Sequence, residues 1–166
     1  MSSKSIKKLV FGAVFCAIIF ALTAFLQIPS QTGYIHIGDA AVFLVASLLP
    51  APIAAVAAAV GAAGADLFSG FTLWAPATFF IKGISAFFFS SKEEKIIKPR
   101  NILALIASCA LCLGGYYLYE AFLTKSFLTP VASIAGNAMQ CLFSAAIYLI
   151  AGLALDRIGA VQNFRR

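Results

Sequence analysis

The sequence predicts an all-α integral membrane protein, a single domain built as a six-transmembrane-helix bundle with both its N- and C-termini cytoplasmic. Three observations carry that expectation. Apolar residues make up 62% and charged residues 11% of the 166 positions, where soluble domains average about 45–50% and about 25%. Long charge-free runs follow one another along the chain with short polar breaks between them, as membrane spans do. The net charge of +6 is gathered in the N-terminal tail, around residues 92–100 and at residues 157–166, which suits basic loops on one membrane face and leaves no basic surface for nucleic acid.

The first predicted span covers residues 7–28. Its uncharged part is twenty residues, about 30 Å of helix and enough to cross a hydrocarbon core. Lys4, Lys7 and Lys8 before it imitate a secretory signal, but a signal's apolar region is shorter and leads into a soluble mature chain, whereas further apolar runs follow here. The next run, 40–65, lies between Asp39 and Asp66 and is interrupted by Pro50 and Pro52. Proline removes backbone hydrogen bonds and favours a break, and charge decides between one span and two. A single span gives five crossings and puts Lys92, Lys95, Lys98 and Arg100 opposite the N-terminal lysines, against the positive-inside rule. A turn at 49–52 gives spans at 37–49 and 52–68. It also gathers Lys4, Lys7, Lys8, Lys92, Lys95, Lys98, Arg100, Arg157, Arg165 and Arg166 on the cytoplasmic face, with only Lys125 outside. Both arms are short, so shielding by neighbouring helices or a tilt near a thinned bilayer is expected. The remaining spans, 74–90, 101–124 and 131–155, are delimited by Pro99, Pro130 and the Asp156-Arg157 pair.

Several chemistries find no support. Cys16, Cys109, Cys112 and Cys141 lie inside apolar runs, where cysteine acts as a small hydrophobe. The Cys109/Cys112 pair has no second pair to complete a metal or redox motif. His36 is the single histidine, so no metal site is expected. There is no Walker A loop and no nucleophile beside a base, so neither ATP hydrolysis by this chain nor enzyme activity is expected, and no cofactor is called for.

Ionisable groups inside spans are more informative, because a lone charge in hydrocarbon costs several kcal/mol. Asp39, Asp66 and Lys82 are expected to form a structural ion pair, Lys82 with one or other carboxylate. In the six-span topology His36, Trp74, Glu120, Asn137 and Gln140 converge on the outer half of the membrane, and Tyr116 lies one turn below Glu120. Together they could line a pocket for a small polar heterocycle. Trp74 also suits an interfacial anchor, and Asn137 with Gln140 suits interhelical hydrogen bonding. Ala13, Ala17 and Ala21 form a flat stripe, open either to packing within the bundle or to a separate docking partner.

The run His36-Ile37-Gly38-Asp39-Ala40-Ala41, with Gly64-Ala65-Asp66-Leu67 and Trp74-Ala75-Pro76-Ala77-Thr78-Phe79-Phe80-Ile81-Lys82-Gly83, resembles the S components of energy-coupling factor (ECF) vitamin transporters. Gly115-Tyr116-Tyr117-Leu118-Tyr119-Glu120 and Gly136-Asn137-Ala138-Met139-Gln140 are similar to helix segments of one branch, and the alanine stripe to its AxxxA docking motif. At 51–63 the chain has alanines where that branch usually has glycines. The resemblance implies a multi-pass protein of a bacterial plasma membrane that binds a pyridoxine-, hydroxymethylpyrimidine- or riboflavin-like ligand from outside. Its partners are then membrane lipid, a transmembrane coupling (T) subunit reached through the alanine stripe, and two cytoplasmic ATPase subunits. By the same resemblance the first outer loop and the last three helices enclose the ligand. A ligand-free membrane structural or assembly protein and a solitary small-molecule carrier remain as alternatives.

Overall fold

The computed structural model describes residues 3–30, 33–159 and 161. These contain six helices: α1 Ser3–Ala24, α2 Gly38–Leu48, α3 Ala51–Phe68, α4 Ala75–Phe88, α5 Pro99–Thr124 and α6 Val131–Arg157. Two strands, β1 Gln27–Ser30 and β2 Gly33–His36, lie between α1 and α2. Four helices, α1, α3, α5 and α6, are long and apolar enough to cross a membrane; α2 and α4 are shorter apolar helices.

The apolar run that begins at Leu9 does not stay helical to its end. α1 closes at Ala24, and residues 27–28 belong to an antiparallel hairpin in which Gln27 faces His36 and Ile28 faces Ile35. A two-stranded ribbon is marginal by itself. Here β2 rests on α6, and both strands touch α1. Pro29, which has no N–H to give a ladder, is tolerated because each strand has a free edge.

The run between Asp39 and Asp66 is two helices. Leu49 is extended, as a residue before proline prefers. Pro50 precedes α3, and Pro52 stands in its first turn, where the missing N–H breaks no helix bond. α2, with 11 residues, is only about 16 Å long. It is surrounded by α1, α3, α4 and α6, and residues 38–47 are buried except Leu44. α3 is wedged between α1 and α4, and its small residues make that possible. A Cβ on Gly61 would stand 2.6 Å from the Cys16 carbonyl oxygen.

Contacts between helix ends fix their directions. Gly12 near the start of α1 abuts Ile53 and Leu49, while Thr23 near its end abuts Gly38. Tyr34 meets Asp66 at the end of α3, and Glu120 near the end of α5 meets Ser133 at the start of α6. At the opposite end, Asn101 (fully buried) donates from Nδ2 to the Ser90 and Ile96 carbonyls, and Asp156 accepts the Ile96 and Ile97 amides at 2.7 and 2.9 Å. The helices therefore alternate up and down. One end carries the hairpin and Lys125; the other carries the start of α1, the 49–50 break, the basic 92–100 segment and Arg157. Arg165 and Arg166 lie outside the described residues. Large apolar side chains such as Leu9, Val56, Phe80, Ile106, Leu142 and Ile150 face outward while Asn101, Asp39 and Lys82 are buried, the polarity expected of a lipid-facing bundle.

Candidate functional site

Helices α4, α5 and α6 each reach the hairpin end with a polar or aromatic stripe at helical spacing. On α4 and just before it stand Trp74, Thr78 and Lys82; on α5, Cys112, Tyr116 and Glu120; on α6, Ser133, Asn137 and Gln140. On β2, Tyr34 and His36 share a face because strand side chains alternate. These stripes close around a partly enclosed cavity at the hairpin end, with the polar and aromatic lining that small-ligand sites share. His36, Trp74, Tyr116, Glu120, Asn137 and Gln140 all line it, and so does Asp66.

At the base of the site, Lys82 Nζ lies 2.8 and 2.9 Å from the two carboxylate oxygens of Asp39, with both residues buried. Of the two carboxylates offered to Lys82 by the sequence, Asp39 is the one in the ion pair. Asp66 instead accepts the Tyr34 hydroxyl at 2.5 Å and stands in the cavity wall. Lys82 Nζ also lies 5.2 Å from the centre of the Tyr116 ring and 3.6 Å from Cys112 Sγ, so the ammonium is enclosed by a carboxylate, a π face and a thiol.

Gln140 ties this base to the hairpin. Its Nε2 donates to Asp39 Oδ2 at 3.0 Å, and its Oε1 accepts the His36 amide at 3.4 Å. Both ends of the amide are occupied, which makes Gln140 a positioning residue within the wall. His36 Nδ1 accepts the Gly38 amide at 3.1 Å, so in the neutral ring Nε2 carries the proton. Burial pushes the His36 pKa down to about 4; the Lys82 charge acts in the same direction and Asp39 opposes it. Burial and the Asp66 charge push the Tyr34 hydroxyl up, so it stays a donor.

Around the mouth, Trp74 packs edge-on to Tyr116 with ring centres 6.1 Å apart, and Tyr34 lies 4.7 Å from Phe71. The Tyr116 hydroxyl pairs with Thr78 Oγ1 at 2.8 Å, and Glu120 accepts the Ser133 hydroxyl. Asn137 has no hydrogen-bond partner among the described residues and keeps its amide for the cavity. Tyr34, Phe71, Thr78 and Ser133 join the site without having been singled out from sequence. Thr78 and Ser133 were findable, one helical turn from Trp74 and Asn137. Tyr34 required knowing that its segment is a strand.

Among the described residues no group of three His, Cys, Asp or Glu side chains is placed to hold a metal ion. The four cysteines are free thiols. Away from the cavity, Ala13 and Ala17 are exposed and Ala21 is half-buried. The close contacts of α1 inside the bundle are made on another face, by Gly12 and by Cys16.

No curated protein matches the chain. The model of one family, the S component of the ECF-type riboflavin transporter, matches residues 3–157. That is a family of membrane transport subunits that bind substrate, not of enzymes. A match over nearly the whole chain, on a bundle with a polar cavity at one end, places this protein in it: the chain belongs to the ECF-type riboflavin transporter S component family.

Proposed function

We propose that the chain captures a small water-soluble vitamin or precursor, pyridoxine-, hydroxymethylpyrimidine- or riboflavin-like, outside the cell for ATP-driven import. In this reading all six helices cross a bacterial plasma membrane, α2 and α4 being shielded within the bundle. The cavity end faces outward and the basic end, with both termini, faces the cytoplasm. The observation that carries the reading is the convergence of His36, Trp74, Tyr116, Glu120, Asn137 and Gln140, from four separate segments, on one cavity. Trp74 and Tyr116 supply aromatic wall, Glu120 and Asn137 supply polar contacts, and His36 and Gln140 set the hairpin over the base. Lys82 and Asp39 hold the helices together. The exposed Ala13 and Ala17, with Ala21, form the flat face to which the transmembrane coupling subunit docks, itself driven by two cytoplasmic ATPase subunits. No cofactor is required of this chain.

Thermal unfolding of the purified protein tests the reading. A bound vitamin stabilises by RT ln(1 + [L]/Kd), about 2.7 kcal/mol at a hundredfold excess over Kd. Pyridoxine, hydroxymethylpyrimidine and riboflavin are the three probes, and one of them is expected to raise the melting temperature. Glu120→Ala and Asn137→Ala are each expected to weaken its binding about ten- to a hundredfold. No response to any of the three points to a scaffold without ligand. Full affinity in both variants overturns the site.

A further inference from the structure

The charges around the cavity narrow the ligand class, given the reading above that this cavity is the ligand site. Lys82 is paired with both oxygens of Asp39, so the base contributes no net charge. His36 accepts a backbone N–H at Nδ1 and is neutral near pH 7. Two carboxylates remain in the wall, Asp66 and Glu120, each 4% exposed, and no lysine or arginine lines the cavity among the described residues. Glu120 already holds the Ser133 hydroxyl. Asp66 holds the Tyr34 hydroxyl on Oδ1 and has the Thr78 side chain as a further polar neighbour, while its Oδ2 is buried and receives no aligned hydrogen bond among the described residues. A buried carboxylate oxygen without a donor is costly, and a ligand N–H removes that cost.

We propose that Asp66 determines specificity: the cavity takes an uncharged or cationic planar heterocycle whose amino group donates to Asp66 Oδ2, such as an aminopyrimidine, and rejects its oxo analogue and its phosphate ester. The oxo analogue sets an acceptor oxygen against an acceptor oxygen. The ester brings a charge of about −1.5 to −2 into a site with two carboxylates and no unpaired cation. The aromatic rings Trp74, Tyr116, Tyr34 and Phe71 suit a planar ring of either kind, so discrimination rests on the donor edge.

Isothermal titration of the purified full chain with three probes tests this: a hydroxymethylated aminopyrimidine, the same ring with oxo in place of amino, and the phosphate monoester of the first. The amino compound is expected to bind about a hundredfold more tightly than the oxo compound, and the ester to give no heat of binding. In Asp66→Asn, whose amide can present either a donor or an acceptor, that preference is expected to fall about tenfold or more. Equal binding of the oxo compound or the ester by the wild type overturns the proposal, as does an unchanged preference in Asp66→Asn. The wild-type ranking needs no variant, so it decides the matter even if Asp66→Asn does not fold. Binding of riboflavin or pyridoxine but of no aminopyrimidine overturns this proposal and leaves the receptor reading standing. Binding of no vitamin at all overturns both.

Discussion

The Gly38 amide sets the state of His36. A Cβ at Gly38 would stand 2.0 Å from Thr23 Oγ1 and 3.2 Å from His36 Nδ1, so only glycine lets the backbone N–H approach the ring. Burial of the ring, and with it the Lys82 charge, disfavours protonation against the pull of Asp39, and the pKa falls from 6.5 to about 4. Between those values the unfolded chain binds more protons at this position than the folded one, so the contribution of His36 to stability is complete above 6.5 and is lost as pH falls toward 4. The melting temperature is therefore expected to drop through that window more steeply in the wild type than in His36→Asn, which keeps an acceptor near Nδ1 but does not titrate. Equal slopes in the two proteins would show that His36 is not the group responsible. This detail could not be read from the sequence. A lone histidine before Gly38-Asp39 says nothing of its tautomer, which is decided by a turn of the backbone two residues on.

At the scale of elements, α1 presents small residues to two sides with opposite consequences. Toward α3, Gly61 meets the Cys16 carbonyl so closely that Gly61→Ala must push the helices apart. A loss of about 1–3 kcal/mol is expected, read as a lower melting temperature. Outward, Ala17 is exposed, and Ala17→Trp is expected to leave melting and ligand binding unchanged while abolishing uptake in cells. Unchanged uptake would refute docking through this face. The sequence could not separate these faces, because Gly12, Ala13, Ala17 and Ala21 all read alike as small residues at helical spacing. Patterns that depend on one helix were readable: Tyr116 with Glu120 and Asn137 with Gln140 each lie on one stripe, and the structure brings them to one cavity. The break at Pro50 and Pro52 was readable only because the spread of basic residues along the whole chain favours two spans over one. The hairpin was not, since strands of four residues, one with Pro29, carry too little alternation to be seen. Asp39 and Asp66 flank the same apolar run and look alike in sequence as partners for Lys82, and only the packing of α2 against α4 shows which of them reaches it. Nothing beside Pro99-Arg100 distinguishes Asn101 in the sequence, although its side chain holds the basic segment to the bundle.

For the whole molecule, the alternating helix directions put Lys7, Lys8, Lys92, Lys95, Lys98, Arg100 and Arg157 at one end and leave Lys125 at the other. Basic residues resist translocation, so the proposed arrangement turns the crowded end to the cytoplasm. In the proposed arrangement the shortness of α2 is no obstacle to crossing, since a helix enclosed by four others needs no lipid match of its own and the hairpin would extend the structure beyond it on the outer side. Cysteine labelling in intact cells tests the arrangement, using a background in which Cys16, Cys109, Cys112 and Cys141 are replaced by serine or alanine. A cysteine at Glu94, an exposed position in the basic segment, is expected to resist a membrane-impermeant maleimide. One at Phe127, which is 73% exposed between α5 and α6, is expected to react. Labelling at 94 without labelling at 127 would invert the bundle, and the cavity would then open to the cell interior, where a receptor for external vitamin has nothing to capture.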